Sequence, residues 1–306
     1  MTPLLGTVVI ALGPPALLAL AINVSVGIVG VMLQTEMFFD ATALATFISC
    51  ALLALWTSAT SALGTTTLAA DLPYTEHPFL AGVFKLHSRH LLLTTAILVW
   101  SIRLGSFLLF RAHILNGDRR FDKVKTRPFR FAILWLIQAV WCTIALIPLY
   151  ATLAIPSEWM MPINRLDVLG MACFVIGFTT EFIADVQKLT WQIRMGDKRF
   201  TLVNNQGLWS LCRYPNYFGE ILLWTGVAVV SVASLDLSTL NSVCIALLMC
   251  TSPLFVAFML LRVSGIPPQE LMAKTRYANS KAYDVYVAHT NMILPWFPST
   301  VSHKED

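Results

Sequence analysis

Charge is what this chain has least of. Only 12% of its 306 residues are Asp, Glu, Lys or Arg, about half the share in soluble globular domains, while 57% are hydrophobic. That balance excludes an ordinary water-soluble fold. Apolar runs of roughly 20 residues recur along the chain instead, each long enough to cross a hydrocarbon core of about 30 Å. They leave no room for a separate soluble domain.

Other absences narrow the field further. The six cysteines, Cys50, Cys142, Cys173, Cys212, Cys244 and Cys250, show no paired CxxC spacing and suggest neither a disulfide framework nor a metal site. His77, His87 and His90 match no ligand spacing, so they are expected to be exposed loop histidines and no metal is expected. No GxGxxG follows a strand, which removes a Rossmann platform. The first apolar run, Leu4 to about Leu33, lacks a basic flank and exceeds the roughly 7–15 residues of a signal-peptide core, so it is expected to be a retained helix. The net charge of +4 is gathered in loops without interleaved aromatics, which argues for membrane orientation and against nucleic-acid binding.

What is present reads as an all-α, multi-pass transmembrane bundle of about seven helices, at 4–33, 41–64, 90–110, 131–154, 166–186, 214–234 and 240–263. The loop 111–130 holds seven Arg or Lys against two Asp, and the fifth helix runs out into the basic stretch QKLTWQIRMGDKRF. Both loops should be cytoplasmic by the positive-inside rule, and two helices between them make this self-consistent. Counting onward places the C-terminal segment on the cytoplasmic side. Counting back places the N-terminus and the loops 65–89 and 155–165 on the other.

Polar groups inside such helices are costly, about 2.5–3.5 kcal/mol for a charge at the bilayer centre, so they face a cavity or a partner. In EFIADVQKLTWQ, Glu181, Asp185, Lys188 and Gln192 recur at spacings of four, three and four, which puts them on one helical face. An intrahelical pair of Asp185 with Lys188 is the plain alternative for the outer half of that stripe. In LWSLCRYPNYFGEILLW, Arg213, Asn216 and Glu220 share a face if the helix includes Arg213. If the helix starts at Pro215, which suits a first turn, Arg213 precedes it and folds back. Arg103, near the middle of the third run close to Trp100, either snorkels to an interface or points into a cavity, and the cavity is the favoured reading. Gln138, between Trp135 and Trp141, suits interhelical hydrogen bonding as well as ligand contact.

The motif GLWSLCRYPNYFGEILLW resembles the GLW–RHPNYFGE–W signature of an uncharacterised multi-pass family within the steroid 5-alpha-reductase-like superfamily. WSIRLGSFLLFR, NGDRRFD, GFTTEFIADVQK, SGIPPQE and the terminal LPWFP extend the likeness over residues 95–298. Residues 1–94 match only as apolar helices, and 299–306 form a short polar tail. Tyr214 stands where the family usually has histidine.

That resemblance implies a cavity holding NADPH, with its adenosine end toward the cytoplasm. Asn216 and Glu220 would hold the amide end and Arg213 would pair with phosphate. Glu181 and Asp185 stand where an Asn and an Asp bind the cofactor. Lys188, Arg194, Lys198 and Arg199 would serve the phosphates. The implied activity is reduction of a conjugated C=C bond in a sterol or other lipid-like substrate at a bilayer, in the endoplasmic reticulum if the source is eukaryotic. The steroid enzymes use a tyrosine with a carboxylate partner as proton donor; Trp100 matches that tyrosine only by its spacing to Arg103 and indole is a poor acid, so the donor is not identified here, with Tyr74 and Glu36 as candidates. A second reading remains open. The isoprenylcysteine methyltransferases share a related RHP–Y–G–E–W module and bind S-adenosylmethionine, and Arg213, Pro215, Tyr217, Gly219 and Glu220 fit that pattern too. A scaffold without catalysis would leave the buried polar stripes unexplained.

Overall fold

In the computed structural model, which describes residues 4–64, 78–115, 121–122 and 124–296, helices account for nearly every regular element. They are α1 (Leu4–Leu33), α2 (Phe39–Gly64), α3 (Pro78–Val83), α4 (Ser88–Ile114), α5 (Pro128–Ala145), α6 (Ile147–Leu153), α7 (Arg165–Met195), α8 (Leu208–Leu211), α9 (Pro215–Val232), α10 (Leu240–Phe258), α11 (Ile266–Arg276) and α12 (Lys281–His289). A π-helical turn, Met259–Val263, continues α10. The one isolated β-bridge among the described residues joins Cys212 to Asn291. The protein is an all-α membrane bundle.

Six helical stretches among the described residues are long and apolar enough to span a bilayer: α1, α2, α4, α5, α7 continuing to Phe200, and Leu240–Arg276. This is one fewer than the sequence pattern suggested, and α9 is the difference. Its 18 residues open on Pro215, Asn216 and Glu220, and those polar turns take up the length that an apolar span would need. The expected single span 131–154 is also broken. α5 ends at Ala145 and α6 starts at Ile147, because Pro148 has no N–H for the helix ladder and its ring crowds the carbonyl four residues back.

The chain divides into two compact units: residues 1–169 with 227–252, and residues 170–226 with 253–306. In the first, α2 packs against α1, α3, α4, α5 and α6. α1 is apolar all round, as a bilayer helix should be, and it leaves Ile10, Leu17 and Met32 on its outer surface. Its buried Gly27 and Gly30 lie under the Trp135 ring of α5, which meets Phe39 edge-on at 5.0 Å.

Loop contacts sort the ends of the first unit. Lys125 Nζ donates to Glu36 at 3.1 Å, so the α1–α2 connection and the basic α4–α5 connection share one end. At the other, the Ser157 hydroxyl accepts from the His87 N–H at 2.9 Å. There too Arg89, with no exposed surface, pairs with Asp167 at 2.6 Å. Its Nη2 and Nη1 donate to the carbonyls of Pro162 and Met161. His90 is a correction to the loop reading. It is the third residue of α4, it is buried, and its Nε2 donates to the Thr152 carbonyl at 2.9 Å.

Candidate functional site

The second unit is organised by a seam between α7 and α9. A Cβ added to Gly177 would lie 2.5 Å from both the Gly219 carbonyl oxygen and the Leu223 N, and one added to Gly219 would lie 2.6 Å from the Gly177 oxygen and from the Glu181 N. Gly226 meets the backbone at Gly170 and Phe174 in the same way. Matching residues run in opposite order along the two helices, so the helices are antiparallel with their backbones in contact. Small residues permit this approach where no hydrophobic force drives helices together in lipid.

That seam places the acidic residues of α7. Glu181 is 2% exposed and Asp185 is 7% exposed. Glu181 backs directly onto Gly219. Asn216, Gly219 and Glu220, at i, i+3 and i+4, share one face of α9. Glu181 therefore lies against the turn of α9 that carries Gly219. α9 begins at Pro215, so Arg213 precedes the helix.

Beyond the seam the polar groups form a connected cluster. Trp209 Nε1 donates to the Ala184 carbonyl at 3.0 Å, and Lys188 Nζ lies 4.7 Å from the centre of the Trp209 ring. Lys188 also donates to Gln269 Oε1 at 3.3 Å, while Gln269 Nε2 donates to the Tyr217 hydroxyl oxygen. Next to this pair, Glu270 Oε1 accepts from Arg213 Nη1 at 2.8 Å and from the Tyr214 hydroxyl at 2.7 Å. The Tyr214 and Tyr217 rings stack, with centroids 5.6 Å apart and planes 7° from parallel.

The C-terminal segment laces onto the same place. The N–H groups of Arg213 and Tyr214 donate to the carbonyls of Asn291 and Met292, and the Tyr286 hydroxyl donates to the Trp209 carbonyl at 2.7 Å. Burial pushes both Tyr283 and Tyr286 above the ordinary tyrosine value; after burial, the Glu270 carboxylate is the largest influence on Tyr283 and the Cys212 thiol the largest on Tyr286.

Two buried polar atoms of this cluster have no hydrogen-bond partner among the described residues: Asn216 Oδ1 and Arg213 Nε. One accepts and the other donates. Leaving both unmet would cost on the order of 1–3 kcal/mol each, so a ligand carrying a donor and an acceptor fits here. A nicotinamide cofactor, with its carboxamide and phosphates, has that donor and acceptor set.

Six of the seven expected site residues, Glu181, Asp185, Lys188, Arg213, Asn216 and Glu220, belong to the second unit, whereas Arg103 is half-buried on α4 in the first. Gln138 uses its Nε2 on the Phe39 carbonyl at 3.1 Å, which is the interhelical option. Of the proton-donor candidates, Glu36 is held by Lys125, and Tyr74 lies outside the described residues, as do His77 and the tail 299–306.

Gln269 and Glu270 were not among the expected site residues. The signal for them was present in SGIPPQE, where two prolines start a helix and two polar side chains follow in its first turn.

Taken together, the helices and the polar cluster on α7 and α9 define a multi-pass membrane protein with a buried polar site. A family model described as "Protein of unknown function (DUF1295)" matches residues 54–290, and the chain belongs to that family. No curated protein and no solved structure matches it.

Proposed function

We propose that the protein is a membrane-embedded, NADPH-dependent reductase of a conjugated C=C bond in a lipid-like substrate. Its motifs resemble the steroid 5-alpha-reductase-like superfamily. The observation that carries the reading is the buried carboxylate pair of α7, with Glu181 against Gly219, continuing at Lys188 into the Gln269–Tyr217 and Arg213–Glu270 contacts. Charge at that depth is expensive without a function.

In this reading Asn216 accepts from the cofactor's amide end through its unmet Oδ1, and Glu220 stands one turn further along the same face. Arg213 Nε is the buried donor for an anionic group. Lys188 and the cations that follow it suit the phosphates. NADPH, when bound, supplies the hydride. The chain's own residues orient it and, with the seam closed by backbone contact, keep water out of the acidic stretch.

Binding of NADPH and of S-adenosylmethionine to purified protein in detergent tests this. NADPH is expected to bind, and Asn216→Ala or Glu220→Gln to weaken it about tenfold or more, the effect of losing one buried hydrogen bond. If S-adenosylmethionine binds instead and loses affinity in those variants, the reductase reading gives way to a membrane methyltransferase. If neither ligand binds, the site is packing only.

A further inference from the structure

We propose that Glu270 is an internal counter-anion: its carboxylate occupies the anion-binding arginine of the site, and an incoming anionic ligand group must displace it or bind against its charge. This deepens the reductase reading and rests on it for the identity of the ligand.

The argument starts from the geometry at one oxygen. Glu270 Oε1 accepts from both Arg213 Nη1, at 2.8 Å, and the Tyr214 hydroxyl, at 2.7 Å. The ion pair is largely enclosed, with the Arg213 side chain 11% and the Glu270 side chain 23% exposed. A guanidinium carries five donors in a fixed fork. Here Nη1 donates to Glu270, the Tyr283 hydroxyl lies against the guanidinium, and Nε is buried with no hydrogen-bond partner among the described residues. The arginine is thus partly satisfied by a residue 57 positions away in sequence and still has a buried donor to offer.

The neighbouring residue makes the parallel contact. Gln269, also in the first turn of α11, accepts from Lys188 and donates to Tyr217. Gln269 is neutral and Glu270 is charged, so the two adjacent side chains treat the two cations differently. Glu270 offsets the charge of Arg213, whereas Gln269 adds no charge beside Lys188. A phosphate or carboxylate approaching Arg213 meets Glu270 as a like charge at close range, and like charges in a partly desolvated site repel strongly. Glu270 therefore tunes affinity downward and favours a ligand whose other groups satisfy Asn216.

The test uses the full-length protein in detergent, with NADPH and inorganic pyrophosphate as probes. Glu270→Gln keeps an acceptor for Tyr214 and removes the charge; it is expected to tighten NADPH and pyrophosphate binding at least tenfold. In an Arg213→Gln background the same substitution is expected to change affinity less than twofold, a coupling that a merely structural role would not produce. Unchanged or weakened binding of both NADPH and pyrophosphate in Glu270→Gln overturns the proposal. Tighter pyrophosphate binding with no NADPH binding supports the counter-anion role and removes the reductase reading. Should Glu270→Gln not purify, Tyr214→Phe loosens the carboxylate by removing its second anchor and is expected to tighten NADPH or pyrophosphate two- to fivefold; no change there also overturns it.

Discussion

Gly177 of α7 and Gly219 of α9 face each other so closely that neither can carry a side chain: a Cβ on either would come within 2.5 or 2.6 Å of the other's carbonyl oxygen. Backbone cannot move aside as a flexible side-chain tip can. Gly177→Ala should therefore force the helices apart at a cost of about 1–3 kcal/mol, typical of overpacking, and Gly219→Val should cost more. Because Glu181 sits directly over Gly219, the same changes should lower ligand affinity. Thermal unfolding in detergent, with ligand binding measured on the same preparations, checks both effects. Wild-type stability in Gly177→Ala would show that the seam is looser than its contacts indicate.

The Arg89–Asp167 pair makes a different kind of demand. Arg89 has no exposed side-chain surface and Asp167 has 4%, so neither charge is solvated by bulk water. Removing one partner of such a pair strands the other, at about 3–5 kcal/mol. Asp167→Asn is expected to lower the unfolding temperature sharply, and Arg89→Met combined with Asp167→Leu to recover much of the loss. A small effect of Asp167→Asn alone would mean that the carbonyls of Met161 and Pro162 suffice for the guanidinium.

Much of this architecture was legible in the residues themselves. Apolar run length located the six spanning helices and counted α9 as a seventh, and a four–three–four spacing located the polar face of α7, because helical periodicity is a local property. The break at Leu146 was legible through Pro148 but was hidden by the continuous hydrophobicity around it. The partners of Arg213 and Lys188 were not legible. Glu270 is 57 residues from Arg213 and Gln269 is 81 from Lys188, and nothing local to either motif says which distant polar residue will fold against it. The burial of His90 was missed for a related reason: its partner is the backbone carbonyl of Thr152, and every residue has one.

Alkaline pH should loosen the C-terminal segment before the rest. Tyr283 and Tyr286 both titrate above the ordinary value, chiefly because burial disfavours the phenolate. A group whose folded-state value is raised contributes stability that is complete below its unfolded value, about 10, and is lost as pH rises toward the folded one. The Tyr286 hydroxyl also holds the Trp209 carbonyl, so ionisation removes a donor there. The unfolding temperature is expected to be flat from pH 7 to 9 and to fall above about pH 10. Tyr286→Phe should be less stable at neutral pH and show a shallower alkaline fall. A wild-type alkaline slope in both Tyr283→Phe and Tyr286→Phe would assign the loss to other groups.

Two cations that the basic loop brings together suggest where a 2′-phosphate would be read. The Arg199 and Arg276 guanidiniums lie 4.9 and 5.4 Å from the centre of the same Phe200 ring, and the Tyr277 hydroxyl ties α11 to the Leu202 carbonyl at 3.0 Å. An aromatic face attracts each cation, so the Phe200 ring gathers two guanidiniums in one place, and a dianion beside them would offset their charge. Arg276, Tyr277, Thr201 and Thr275 also line a hollow of about 270 Å³. If this is the 2′-phosphate site of the proposed cofactor, the wild type should prefer NADPH to NADH. Arg199→Gln and Arg276→Gln should each weaken NADPH roughly ten- to a hundredfold, the worth of a hydrogen bond to a charged group, and leave NADH unchanged. Competition titrations with the two nucleotides decide the matter. Parallel losses for NADPH and NADH would move the phosphate site away from Phe200, and equal affinity of the wild type for both would remove the 2′-phosphate from the proposal altogether.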